Sequence, residues 1–140
     1  MIKVLQTSVY FLCLISFFMA SVQAEEEKKN SPKAQYYALK PSFVANFGET
    51  TAKRLKFIKA DISIMAYSGA AIAAVMEHNS LIRHQVVMSL SEQSEASLAT
   101  TEGQESLRLG ILEKVKAVLK EETGKEHIDD LLFTSFVVQR

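Results

Sequence analysis

The sequence predicts an α+β domain: a small, largely antiparallel sheet with helices packed on one face, in the order strand, strand, helix, helix, strand. Three observations predict this class. Apolar residues alternate along residues 55–66, as in a strand with one buried and one wet face. From Ser68 the apolar period becomes that of an amphipathic helix. After Gly124 it returns to a strand pattern, which favours helices layered over an antiparallel sheet.

Two neighbouring segments predict the first two strands. In the first, alternate residues are apolar: Tyr37, Leu39, Phe43, Ala45 and Phe47. Pro41 interrupts this segment, so it should be an edge strand or contain a bend. In the second, one face carries Ile58, Ala60, Ile62, Ile64 and Ala66. Gly48 lies in the turn between the two segments, and the pair is therefore expected to be antiparallel.

The helical region is expected to break near Asn79, which would cap a second helix. Residues at helical spacing span this break: Ile72, Val75, Met76, Ile82, Val86 and Leu90. After a polar loop, Thr101 and Gln104 form a capping-box pattern at the start of a strong helix. Leu107 begins the apolar stripe of that helix. Gly124 suits the left-handed residue that ends it.

The closing segment is apolar on both faces if its residues alternate strictly. Leu131, Phe133 and Val137 then point one way, and Leu132, Phe136 and Val138 point the other. A strand that is apolar on both faces is typical of one covered on both sides. We therefore expect this strand to be central in the sheet.

Residues 1–24 predict a signal peptide or a signal anchor. Residues 9–22 are almost wholly apolar, a length usual for a signal-peptide core and short for a bilayer span of about 20 residues. Small residues at Val22 and Ala24 fit a cleavage site after Ala24. An uncleaved anchor remains open, because residues 4–24 carry no charge.

The rest of the chain follows from this reading. Residues 25–34 are charged and contain Pro32, so they predict a flexible linker. Residues 35–140 then form one exported domain. Cys13, the single cysteine, lies in the hydrophobic segment, so a disulfide framework is excluded.

Composition and spacing argue against several function classes. The 16 basic residues balance 16 acidic ones, whereas a nucleic-acid binder needs a basic field. His78 and His84 are too far apart to share a helical face as a metal pair. The sequence has no phosphate loop and no G-x-S-x-G nucleophile motif. We expect no enzyme, no cofactor and no metal site.

Four segments together resemble the FliL family. They are "YYALKPSFVANF" (36–47), "HNSLIRHQVVMSLSEQS" (78–94), "LATTEGQESLRLGILEKV" (98–115) and "LLFTSFVVQR" (131–140). The resemblance implies a flagellar basal-body protein at the periplasmic face of the bacterial inner membrane. It also implies a stomatin-like domain that forms homo-oligomeric rings or arcs. FliL proteins associate with the MotA/MotB stator and support swimming, swarming and control of rotation in chemotaxis, without being enzymes.

The chain departs from the family at its start, where a short tail and a signal-like segment replace a basic tail and a membrane helix. This suggests a FliL-like paralogue released into the periplasm; an uncleaved segment would instead attach it to the inner membrane. A non-flagellar, stomatin-like periplasmic scaffold is the alternative function. A small hydrolase or ligand binder would require a deep polar pocket holding His78 or His84.

The residues expected to matter are structural. Ile82, Arg83, Val86 and Leu107 should fix the packing of the helices. Phe133, Phe136 and Val137 should pack in the closing strand. Exposed charges on the long helix are the expected subunit contacts.

Overall fold

The structure is a computed structural model that describes residues 32–48 and 55–140. The predicted signal segment, and the linker up to residue 31, lie outside the described residues. The elements are β1 (Gln35–Asn46), β2 (Phe57–Ala66), α1 (Gly69–Glu77), α2 (Asn79–Ser91), α3 (Glu95–Leu98), α4 (Thr101–Thr123) and β3 (Asp130–Gln139). The predicted α+β class and the order of its strands and helices are confirmed. The loop predicted between the helices contains the short helix α3.

The three strands form one antiparallel sheet in the order β1-β2-β3. β2 is central, and β1 is an edge strand as Pro41 predicted. The expectation that the closing strand is central and covered on both sides is wrong. Among the residues that the structure describes, β3 pairs only with β2, and its Val137 side chain is 50% exposed.

A bulge in β3 explains why strict alternation failed. Asp61 pairs with Ser135, whereas the next residue of β2, Ile62, pairs with Phe133. Thr134 is therefore an extra residue, and a bulge reverses the alternation beyond it. Phe133 and Phe136 consequently share a face, and their rings stack with centroids 4.8 Å apart.

The core lies between the sheet and the helices. One face of β2 is completely buried and packs with α2, α4 and the adjacent strands. The largest fully buried side chains of the core are Phe43, Ile58, Ile62, Ile64, Ile82, Leu90, Leu98, Ile111, Leu119 and Leu131. Each such side chain contributes about 1.5–3 kcal/mol through burial, and this layer holds the helices on one face only.

The helix ends follow the sequence in part. Ser68 caps α1 by accepting from the backbone N–H of Ala71 at 3.1 Å. Gly124 ends α4 in the left-handed conformation, with φ of 80°, as predicted. The expectation for Thr101 was wrong by one residue, because Thr100 is the cap and accepts from the N–H of Gly103.

Asn79 does not cap α2. His78 is the boundary residue and makes no side-chain capping hydrogen bond. Its carbonyl accepts from the N–H of Ile82 at 3.1 Å, so the hydrogen bonding of α1 passes almost directly into α2. Asn79 lies inside the helix instead, and its Oδ1 is buried without a hydrogen-bond partner.

Candidate interaction surface

The side chains predicted to fix the helices lie where α2 and α4 meet the sheet. Ile82 and Val86 of α2 are fully buried, and Leu107 of α4 is buried as well. Arg83 donates from Nη1 to the carbonyl of Pro41 at 2.8 Å. Its guanidinium also lies 4.2 Å from the centre of the Phe43 ring, a cation–π distance. Arg83 thus links α2 to the edge strand β1.

A second arginine links α4 to β3. Arg108 forms two hydrogen bonds with Glu105, at 2.6 and 2.8 Å, and an ion pair with Asp130. It also donates to the carbonyl of Leu131 at 2.7 Å. The Glu105 carboxylate beside it raises the pKa of Arg108 above its ordinary value, with Asp130 adding to the effect. In return, Arg108 lowers the pKa of Glu105.

Sequence reasoning did not find the Arg108 cluster. The spacing of Glu105 and Arg108 by three residues on a helix was a usable signal. Nothing local indicated that Asp130, 22 residues further on, would meet the same guanidinium. That contact depends on the angle at which the chain returns from α4 to the sheet.

In residues 32–48 and 55–140, the helices pack on one face of the sheet and not on the other. We call it the open face, and its principal residues are Tyr36, Val44, Lys59, Asp61, Leu132 and Val137. Tyr36 is 61% exposed and Val44 is 60% exposed. In the strand register, Lys59 pairs with Val44 on one side and with Val137 on the other. An exposed row of valine, lysine and valine therefore crosses all three strands.

The centre of the open face is polar. Ser42 donates from its hydroxyl to the carboxylate of Asp61. Thr134, the bulge residue, donates from Oγ1 to the backbone carbonyl of Asp61 at 3.2 Å. The register of β1 also shifts between Leu39 and Phe43, so both neighbours of β2 are irregular at the same level. Bulges strengthen local twist, so the open face is strongly twisted at Asp61.

The predicted closing-strand residues divide between the two faces. Phe133 and Phe136 are half-buried and pack against the core. Val137 lies on the open face instead. Tyr36 and Val44 belong to the same surface and were not singled out from the sequence, although their alternation with Tyr37 and Phe43 was a signal for it.

Acidic and imidazole side chains do not converge in residues 32–48 and 55–140. No group of three His, Asp or Glu residues in these ranges has a geometry that could hold a metal ion. None of the helices described above is both long and apolar enough to cross a bilayer. These ranges present an open face with exposed apolar side chains around a polar centre, and two sheet edges, one on β1 and one on β3.

The described residues thus form a small α+β domain whose three-stranded antiparallel sheet carries helices on one face. The family model described as flagellar basal body-associated protein FliL matches residues 36–139. The chain therefore belongs to the FliL family. Flagellar protein FliL of Aquifex aeolicus (strain VF5) is 24% identical over 103 residues, which are 74% of this chain and 60% of that protein. The chain thus spans about 60% of the length of this relative.

Proposed function

We propose that this protein is a non-enzymatic accessory of the flagellar basal body that acts by contact with other motor components. The observation that carries the proposal is the family match, which runs from the start of β1 to the end of β3. The proposal thus concerns the whole folded unit and not a shared fragment. The exposed apolar side chains of the open face support it, because Tyr36, Val44 and Val137 are at least half exposed and lie outside the core.

The proposed mechanism is structural. Copies assemble side by side into a ring or arc at the periplasmic face of the inner membrane. This assembly braces stator units of the MotA/MotB type and so supports torque, swimming or swarming, and control of rotation in chemotaxis. Free sheet edges offer unpaired backbone groups for association, and the open face offers apolar area.

The open face supplies the residues that we assign to this contact. Val44 and Val137 flank Lys59, whose aliphatic stem adds apolar surface while its charge stays in water. Burying such a row against a partner removes apolar area from water at little cost in charge desolvation. We propose that this row is part of the contact with the motor.

The test is a clean deletion strain, complemented with wild-type and variant genes and scored for flagella and for spread in soft and viscous agar. We expect normal flagella, reduced spread and full restoration by the wild-type gene. A Val44→Lys, Val137→Lys double variant should fold but fail to restore spread. Ala73→Lys, at an exposed position of α1, is the matched control and should restore it.

Two outcomes would contradict the proposal in different ways. Full restoration by the Val44→Lys, Val137→Lys variant would mean that the open face is not part of the contact, and it would leave the flagellar role intact. No defect of the deletion strain on any medium would favour the alternative of a non-flagellar periplasmic scaffold.

A further inference from the structure

Two exposed tyrosines lie at the end of the sheet where the chain enters β1. Tyr36 is 61% exposed and Tyr67 is 45% exposed. Tyr36 is the second residue of β1 and pairs with Met65, and Tyr67 directly follows the last residue of β2. Both tyrosines therefore belong to the same end of the sheet, which we call the tyrosine end.

The chain around the tyrosine end is uncharged over a long stretch. Residues 62–76, which run from β2 through most of α1, contain no Asp, Glu, Lys or Arg. Ala70, in the first turn of α1, is exposed as well. The exposed positions of α4 between residues 113 and 122 are, in contrast, mostly glutamate and lysine. Exposed apolar side chains that are grouped in this way mark an interaction site more often than single ones do.

The charged residues closest to the tyrosines are of both signs. Lys33 is exposed two residues before β1. Asp129 is also exposed, and its backbone N–H donates to the carbonyl of Met65 at 2.9 Å. Asp130, which pairs with Met65 in the strand register, is held in an ion pair by Arg108. Recognition through charge needs a field of one sign, so a contact at this end depends on aromatic and apolar groups.

The sequence ahead of β1 indicates a lipid bilayer as the occupant. Residues 4–24 carry no charge, and a helix of these 21 residues would be about 31 Å long, close to the bilayer core of about 30 Å. Ten residues, 25–34, join this segment to β1, and such a chain spans at most about 36 Å. Tyrosine is enriched where hydrocarbon meets water, because its ring is apolar and its hydroxyl is polar.

We propose that residues 4–24 are retained as an anchor and that the tyrosine end rests in the headgroup layer of the same bilayer. The rings of Tyr36 and Tyr67 enter this layer while their hydroxyls stay hydrated. Lys59, the centre of the exposed valine row, lies six residues from Met65 along β2, about 20 Å away, and stays in water. This lipid contact goes beyond the flagellar role proposed above and does not require it.

The test uses tryptophan fluorescence, because the sequence contains no tryptophan and one introduced residue reports one position. The full chain carrying Tyr67→Trp is reconstituted in phosphatidylcholine vesicles, and Tyr36→Trp is prepared in the same way. We expect emission at a shorter wavelength than in water, and loss of emission when the acyl chains are brominated near the headgroup. Added phosphatidylglycerol should change neither result.

Val137→Trp is the matched control, since Val137 is also half exposed but lies opposite Lys59 in the strand register. Its emission should be lost to iodide in the water and not to brominated lipid. All three variants replace exposed side chains, so their thermal unfolding midpoints should stay close to that of the wild type.

Four results would overturn the proposal. The first two are emission from Tyr36→Trp and Tyr67→Trp that brominated lipid leaves unchanged, and equal quenching of Val137→Trp. The third is quenching that requires phosphatidylglycerol, and the fourth is a chain isolated from cells that begins at Glu25, which would lack the anchor. The vesicles contain no other motor component, so this failure is distinguishable from a failure of the flagellar role, which rests on motility.

Discussion

The two faces of the same three-stranded sheet have opposite surroundings. Phe43 and Val44 are adjacent in β1, yet Phe43 is 1% exposed and Val44 is 60% exposed. On the covered face, helices α2 and α4 remove apolar side chains from water. On the open face, similar side chains stay in solvent, although they belong to the same strands.

This contrast separates folding from association. The covered face supplies the apolar burial that stabilises the domain. Isolated exposed apolar residues are ordinary on protein surfaces. Val44 and Val137 are not isolated, because the register aligns them across Lys59. If the open face makes the contact proposed above, substitutions there should affect association more than stability.

The largest expected effect is that of a charge on the covered face of β3, compared with the same charge on its open face. Phe136→Asp should destabilise the domain by more than about 3 kcal/mol or prevent folding, because it puts a carboxylate against the core. Val137→Asp should fold, because that side chain is half exposed. Urea unfolding of both variants measures the difference. Equal losses would mean that the open face is covered in solution.

Two adjacent leucines give a gentler version of the same comparison. Leu131→Ala should cost about 2–5 kcal/mol, since Leu131 is fully buried. Leu132→Ala should cost only about 1 kcal/mol, because its side chain lies on the open face and is half-buried. Chemical denaturation of the two variants under identical conditions tests this. A larger loss for Leu132 would reverse our assignment of the faces.

The Arg108 cluster attaches α4 to the covered side of β3. Arg108→Met should cost about 1–3 kcal/mol, because the carbonyl of Leu131 loses this donor and Asp130 keeps only the backbone N–H of Leu131. Lys114→Met is the matched control, since it breaks an exposed ion pair and should cost less than about 1 kcal/mol. Equal effects in a denaturation series would mean that Arg108 contributes no more than a surface pair.

The two glycines of α4 compare a filled position with an open one. Gly110→Ala should stabilise the domain by about 0.5–1 kcal/mol, because helix propensity improves and no contact is disturbed. Gly103→Ala should destabilise it, because the new Cβ would collide with the backbone of Ser97. Thermal unfolding of both variants shows whether each substitution raises or lowers the stability of the domain. A destabilised Gly110→Ala would contradict the open space around Gly110.

The smallest effect is a pH dependence. Arg108 lowers the pKa of Glu105 from 4.5, and Lys56 lowers that of Glu95 in the same way. A lowered pKa in the folded state contributes stability above the unfolded value, and this is lost as the pH falls below 4.5 through the folded value. The Glu95→Gln, Glu105→Gln variant should therefore lose less stability on acidification than the wild type. Equal losses of stability by the two proteins on acidification would contradict these assignments.

Local patterns predicted most of the fold. The period of two along β2, the change to a helical period from Ser68 and the left-handed Gly124 are each set by residues close in sequence, and the structure has all three. The prediction that the closing strand is covered on both faces failed for a different reason. A bulge at Thr134 depends on which residues of β2 lie opposite, and no period within β3 reveals it. Six apolar residues therefore looked like two covered faces.

The interaction surfaces were less accessible to sequence reasoning. Ile82 and Val86 follow from helical spacing, but the open face is defined by the helices being on one side only. Arg83 was singled out from the resemblance. Its partners, the carbonyl of Pro41 and the ring of Phe43, could be identified only from the folded structure.

The direction in which the chain enters and leaves the sheet has a mechanical consequence. β1 begins at Gln35 beside Ala66, and β3 ends at Gln139 beside Phe57, at opposite ends of the central strand. A pull between these two points runs along the strands, while the inter-strand hydrogen bonds lie across them. The load is then shear, shared by many bonds that must rupture together, and not peeling, which breaks them one at a time.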